Sequence, residues 1–250
     1  YSLSGHETGK LFVQQQSTHL LDIDTVLIKA TRQLPDERDV STVSLGVEYE
    51  WNKTDYRYNP RKGTVLRLVA AAGRRNIKKN NVILKLSSPD FSYDQLYEDG
   101  KLRTYQFRAK AGGDWYIPLG RNSTAKLALD AALLHSDEIF RNELFQIGGY
   151  KLLRGFDEES IYASRYAVTS VEYRYLMGLN SYLFGFADMG LTANTSAQQK
   201  LRNSYAGAGL GMALETKAGQ FTISYAAGKR NDLKFDIRQS KIHIGYINYF

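Results

Sequence analysis

One arginine sits between glycines near the middle of the chain, in Gly148-Gly149-Tyr150-Lys151-Leu152-Leu153-Arg154-Gly155-Phe156. The chemistry open to it is ion pairing. A planar guanidinium fork grips two acceptors at once. In a confined polar space it needs carboxylates, because an unpaired buried charge costs several kcal/mol. Glu172 and Asp188 fall on the first and second strands expected after this segment, and they are the candidate partners. The glycines let the segment fold tightly against a wall. Gly207, Gly209 and Gly211 leave one face of a later strand bare, which gives room for close approach. The plainer reading is a surface arginine with no partner.

Other chemistry finds no support. No G-x-S-x-G elbow occurs, so serine hydrolysis has no basis. Gly9-Lys10 lacks the glycine pattern of a phosphate-binding loop, and Gly207 to Gly211 lacks dinucleotide spacing. Glu48 and Glu50 are two apart on a strand face, where a polar lumen explains them without catalysis. The four histidines show no metal-ligand spacing, and the absence of cysteine excludes thiolate sites and disulfides. The expectation is a protein that is not an enzyme and holds no metal. The net charge of +7 is spread along the chain. Its densest cluster, Arg74-Arg75 with Lys78-Lys79, reads as a solvated loop, and no nucleic-acid motif accompanies it. Acidic outer-leaflet lipid is a further candidate partner.

The elements that must position Arg154 are strands. Val43, Leu45, Val47, Tyr49 and Trp51 alternate with polar residues, as do Tyr105 to Ala111, Ala125 to Leu133 and Phe221 to Ala227. Further strands are expected near 24–32, 64–75, 166–177, 181–190, 205–216 and 241–250, with a weaker one near 10–17. Breakers mark connections at Asn59-Pro60-Arg61-Lys62-Gly63, Pro89-Asp90, Gly112-Gly113-Asp114 and Gly219. Asp188 shares parity with Phe184 and Phe186, so either those rings line the interior or a bulge switches the facing. No composition shift suggests a second domain. No apolar run approaches the roughly 18 residues of a spanning helix, and no signal peptide is visible at Tyr1.

A soluble sandwich or closed soluble barrel also alternates. Long strands, full charges on the polar faces and apolar faces ending in Tyr, Trp and Phe favour a membrane barrel. The 18 tyrosines fit either strand propensity or an aromatic girdle. The expected fold class is all-β, a transmembrane antiparallel β-barrel with a lumen-inserted loop. In hydrocarbon an open sheet edge is forbidden. An odd count of eleven would break the even-number preference of single-chain bacterial barrels, and missing N-terminal strands would explain it.

The run Phe145-Gln146-Ile147-Gly148-Gly149-Tyr150, followed by Leu153-Arg154-Gly155-Phe156, resembles the lumen loop of the BamA/TamA-type outer-membrane insertase superfamily. Thr169 to Arg174 is similar to the next strand with its acidic position, and Phe184 to Gly190 to the aromatic-rich strand with its aspartate. Tyr56 to Gly63 resembles a strand-to-strand turn of that family. Ile242, Ile244, Tyr246 and Phe250 resemble its terminal signal, although Asn248 departs from an apolar stripe. The resemblance covers about 42 to 250. It implies the C-terminal ten to twelve strands of a barrel of roughly 16, without the periplasmic POTRA domains. It also implies insertion of client β-barrel proteins into the bacterial outer membrane through a seam beside strand 241–250. Outer-membrane lipid, clients and accessory assembly subunits are the implied partners, and no cofactor is implied. Alternatives are a secretion pore of the same superfamily, a barrel anchoring a patatin-like lipase, and a plain diffusion porin.

Overall fold

Alternation along the chain builds one antiparallel sheet. The computed structural model describes residues 2–98, 100–196 and 199–248. Phe250 therefore lies outside the described residues. Eleven strands follow one another in the sheet: β1 (Ser2–Ser4), β2 (Glu7–Thr18), β3 (Asp39–Thr54), β4 (Gly63–Lys78), β5 (Arg103–Pro118), β6 (Ser123–Ser136), then β9 (Arg165–Leu176), β10 (Tyr182–Ser196), β11 (Gln199–Thr216), β12 (Gly219–Arg230) and β13 (Lys241–Asn248). Every neighbouring pair is antiparallel. Among the described residues β1 and β13 are the two edges, and the sheet is not closed.

The two faces differ as period two requires. Leu129, Val171, Tyr173, Met189, Leu210, Ile242 and Ile244 stand exposed on the outer face. Thr124, Glu172, Arg174, Asp188, Thr222, Ser224 and His243 are buried on the inner one. A face this apolar left uncovered on a folded sheet marks contact with something apolar, and a lipid-facing band flanked by aromatic residues is one such arrangement. No helix among the described residues is long and apolar enough to cross a membrane, which says nothing about crossing by strands.

Connections at one end are short, at 55–62, 119–122, 177–181 and 217–218. Those at the other end include 19–38, 79–102, 137–164 and 231–240. Within 137–164 a small separate ribbon forms from β7 (Phe145–Ile147) and β8 (Ile161–Ala163). Its tip, residues 148–160, carries the glycine-flanked arginine.

Several expectations need correction. Residues 24–32 do not form a strand. Thr25–Thr31 is a short helix, α1, capped by Asp24, whose carboxylate accepts the Leu27 N–H at 2.8 Å. A brief apolar run reads equally as either element. Here the buried Ile28 packs with Ile83, Tyr93 and Tyr97 from 79–102, in a small core above the sheet. Gly112-Gly113-Asp114 is not a connection but the interior of β5. A Cβ on Gly112 would crowd Asp130 and Arg67, and one on Gly113 would meet the Trp115 ring at 2.7 Å. These glycines serve close approach, as strand glycines often do. Arg74, Arg75 and Lys78 lie on β4 rather than in a loop, and Arg75 is fully buried. The weak signal near 10–17 marks a full strand, β2.

Candidate functional site

The tip of the 137–164 loop folds against the inner face of the sheet. Leu153 adopts φ 65°, a left-handed conformation that costs an L-residue ~1–2 kcal/mol. Burial offsets this. Leu153 is almost fully enclosed in a cluster with Leu134, Phe145, Ile147, Val168 and Tyr205. The turn at Leu153 aims the next residue at the wall.

Arg154 makes five hydrogen bonds there. Its Nε donates to Asp188 Oδ2 at 2.9 Å and its Nη2 to Asp188 Oδ1 at 2.7 Å, a two-pronged grip. Nη1 donates to Glu172 Oε2 at 2.6 Å, and Nη2 also to Ser170 Oγ at 2.8 Å. The backbone N–H of Arg154 donates to Asp188 Oδ2 at 2.9 Å. Side-chain exposures of 11% for Arg154, 9% for Glu172 and 2% for Asp188 place these charges away from bulk water. That is the setting in which loss of one partner is costly.

The strands supply this geometry by register. Asp188 on β10 sits opposite Ser170 on β9, and Phe186 opposite Glu172. The pairing runs unbroken from Tyr182 to Ala193, so no bulge switches the facing. Phe184 and Phe186 line the interior with Asp188. The guanidinium carbon lies 3.5 Å from the centre of the Phe186 ring, so the ring serves as a stacking surface. Gly209 and Gly211 on β11 make room for those rings, and a Cβ on Gly207 would overlap the Arg154 carbonyl oxygen.

A second arginine balances the charge. Arg174 Nε donates to Glu172 Oε1 at 2.8 Å, and its Nη1 to Asn59 Oδ1 at 2.9 Å. Two arginines thus meet two carboxylates. Asn59, in the 55–62 turn, also donates to the Leu179 carbonyl at 3.0 Å and ties two short turns to the cluster.

The loop tip reaches the edge strand as well. The Gly155 N–H donates to His243 Nε2 at 3.0 Å. Lys241 Nζ pairs with Asp157 at 2.7 Å, and the Tyr150 ring covers Gly245. All three β13 positions alternate with the outward Ile242, Ile244 and Tyr246. At the loop's base Arg75 grips Glu143 with two bonds of 2.7 Å. Glu143 also accepts from Gln106 Nε2 and the Phe140 N–H.

Of the residues singled out by sequence, Gly148, Gly149, Leu153, Arg154, Gly155 and Phe156 lie on the tip, with Glu172 and Asp188 beneath it. Gly148, Gly149 and Gly155 have φ near +100°, where glycine carries no steric penalty. Phe156 stacks edge-on against Tyr205. Ile242, Ile244 and Tyr246 face away from this cluster. Sequence reasoning missed Ser170, Asn59, His243 and the Arg75–Glu143 clamp as partners of the loop. Parity signals Ser170 and Arg174, which share the Glu172 face. His243 meets a backbone N–H, and such a partner leaves no mark in sequence.

A family model described as the Omp85 superfamily domain matches residues 7–246. No curated protein matches the chain.

Proposed function

This chain belongs to the Omp85 superfamily, and on that premise we propose that it inserts client β-barrel proteins into the bacterial outer membrane through a lateral seam. Membership makes it an outer-membrane barrel of the general insertase and secretion type. Outer-membrane barrels keep short turns on the periplasmic side and long loops outside. The 55–62, 119–122, 177–181 and 217–218 turns are then periplasmic, and the arginine loop dips in from the outer side.

The observation carrying the reading is that one loop joins the Arg154 cluster on β9 and β10 to the inner face of β13. In the proposed cycle β13 forms one side of the seam. A client strand would add to its unpaired edge by main-chain hydrogen bonding, as in β-augmentation. The cluster would hold the rest of the wall rigid while that edge exchanges partners. Glu172, Asp188 and Ser170 orient the loop, and His243, Lys241 and Gly245 pass its position to the edge. The proposed activity makes and breaks no covalent bond and uses no cofactor. Accessory subunits would act from the periplasmic end.

The test reconstitutes the full-length protein in liposomes with a urea-unfolded client barrel, and follows client folding by protease protection. Folding well above that in empty liposomes is expected, with a marked fall for Arg154→Glu. Passage of an unfolded passenger to the liposome interior, with no client folding, would overturn insertion in favour of secretion.

A further inference from the structure

The outer face of β9–β12 is not a uniform apolar wall. Small side chains sit side by side there. Ala187 on β10 faces Ala208 on β11, which faces Ala227 on β12. One row nearer the long loops, Met189 faces Ala206, and Ala206 faces Lys229. The 231–240 connection does not stay above the rim, because Phe235 comes down beside these residues and borders an open groove of about 550 Å³. Val171 and Met189 form its opposite wall.

Three features distinguish this groove from ordinary lipid-facing surface. Its lining is almost wholly apolar, yet Lys229, exposed at its rim, makes no ion pair among the described residues. The connection over it carries an apolar side chain at every second position: Leu233, Phe235 and Ile237 are about half exposed, with Lys234 and Asp236 between them and Arg238 following. A depression of similar size over Ala70, Ala109 and Ala131 has no such loop beside it. The Lys110 that borders it points inward, with Nζ 5.4 Å over the Phe145 ring. An apolar slot opening to hydrocarbon, with an unpaired ammonium at its outer end, matches one ligand chemistry. A lipid chain fills the slot, and an anionic headgroup meets the lysine.

We propose that this groove holds an acyl chain of a phosphorylated outer-leaflet lipid, with Lys229 bound to the phosphate and Phe235 closing over the chain. The inference rests on the outer-membrane placement alone and not on insertase activity, so the two can fail separately.

Native mass spectrometry of the full-length protein, titrated with dioleoyl phosphatidic acid or dioleoyl phosphatidylcholine, tests it. One phosphatidic acid per chain should be retained in preference to phosphatidylcholine. Lys229→Gln should lower that affinity about fivefold, the effect of one basic side chain near an anionic surface, and leave phosphatidylcholine unchanged. Ala208→Leu fills the slot and should abolish retention of both lipids, with heat-modifiable gel mobility reporting the folded barrel. If Ala208→Leu does not fold, Lys229→Gln decides. Equal retention of the two lipids by the unaltered protein, or no change with Lys229→Gln, would overturn the proposal.

Discussion

Arg154 is held by groups that differ in what they require of it. Asp188 takes the Nε–Nη2 edge of the fork and the backbone N–H, while Glu172 accepts from Nη1 and is shared with Arg174. Arg154→Lys keeps the charge but cannot reproduce the fork. It should lower the thermal midpoint of the detergent-solubilised barrel, with part of the loss remaining in high salt. Arg154→Glu should impair assembly, by an amount on the order of 3–5 kcal/mol for a broken buried pair. Adding Glu172→Arg should restore it only in part, since the new cation faces Arg174. Assembly unchanged by Arg154→Glu in a heat-modifiability assay would remove the cluster from the structural account. At the far end of the tip, His243→Gln retains an acceptor for the Gly155 N–H, and His243→Leu does not. Hydrogen exchange at the loop should rise for the leucine variant alone. The three charges Arg154, Glu172 and Asp188 were legible in the sequence, because a confined guanidinium demands carboxylates at inward positions. Arg174, which makes the cluster neutral, was visible only as strand-face polarity. The His243 contact depends on how far the loop reaches, which no local pattern encodes.

At the scale of elements, strands were legible where alternation is clean. They were misread where a glycine or a short apolar run carries two meanings. Gly112 and Gly113 look like breakers, yet β5 runs through them because the side chains of Trp115, Asp130 and Arg67 crowd the space their Cβ atoms would take. Residues 25–31 look like a strand, but the Asp24 cap and the contacts of Ile28 make a helix. Arg75 looks like part of a basic loop, whereas Glu143 from a sequence-distant loop base draws it inside. The glycine face of β11 was read as space for close approach, and it receives the Arg154 carbonyl and the Phe184 and Phe186 rings. Gly207→Ala should therefore lift the loop tip at a cost of about 1–3 kcal/mol. Its outward neighbour Ala208 changed to Gly should not. Protease sensitivity of residues 148–160 separates the two outcomes.

For the whole molecule, the middle of the outer face is apolar, outward charges such as Arg74 and Lys229 lie toward the long-loop rim, and the Arg154 cluster lies within, which suits a wall set in hydrocarbon. Leu129, on the outer face of β6, should resist charge. Leu129→Arg should cost ~2–4 kcal/mol if it lies near the bilayer midplane. Ala128→Gln, facing inward beside Lys126 and Asp130, should cost far less. Comparable losses for the two in urea titrations of vesicle-embedded protein would contradict this facing. The loop spans this interior as a strut from the Arg75–Glu143 base to the β13 edge, so the cluster is a feature of the whole wall and not of one hairpin.

The loop is fastened to the wall most directly through the coupling between Arg154 and Asp188. A double-mutant cycle of Arg154→Met, Asp188→Leu and the pair, read by urea unfolding in lipid vesicles, measures it directly. The expected coupling is on the order of 2–3 kcal/mol, the range for residues in one buried hydrogen-bonded network. Additive single effects, with no coupling beyond error, would mean that the guanidinium is not held where the wall places its carboxylates.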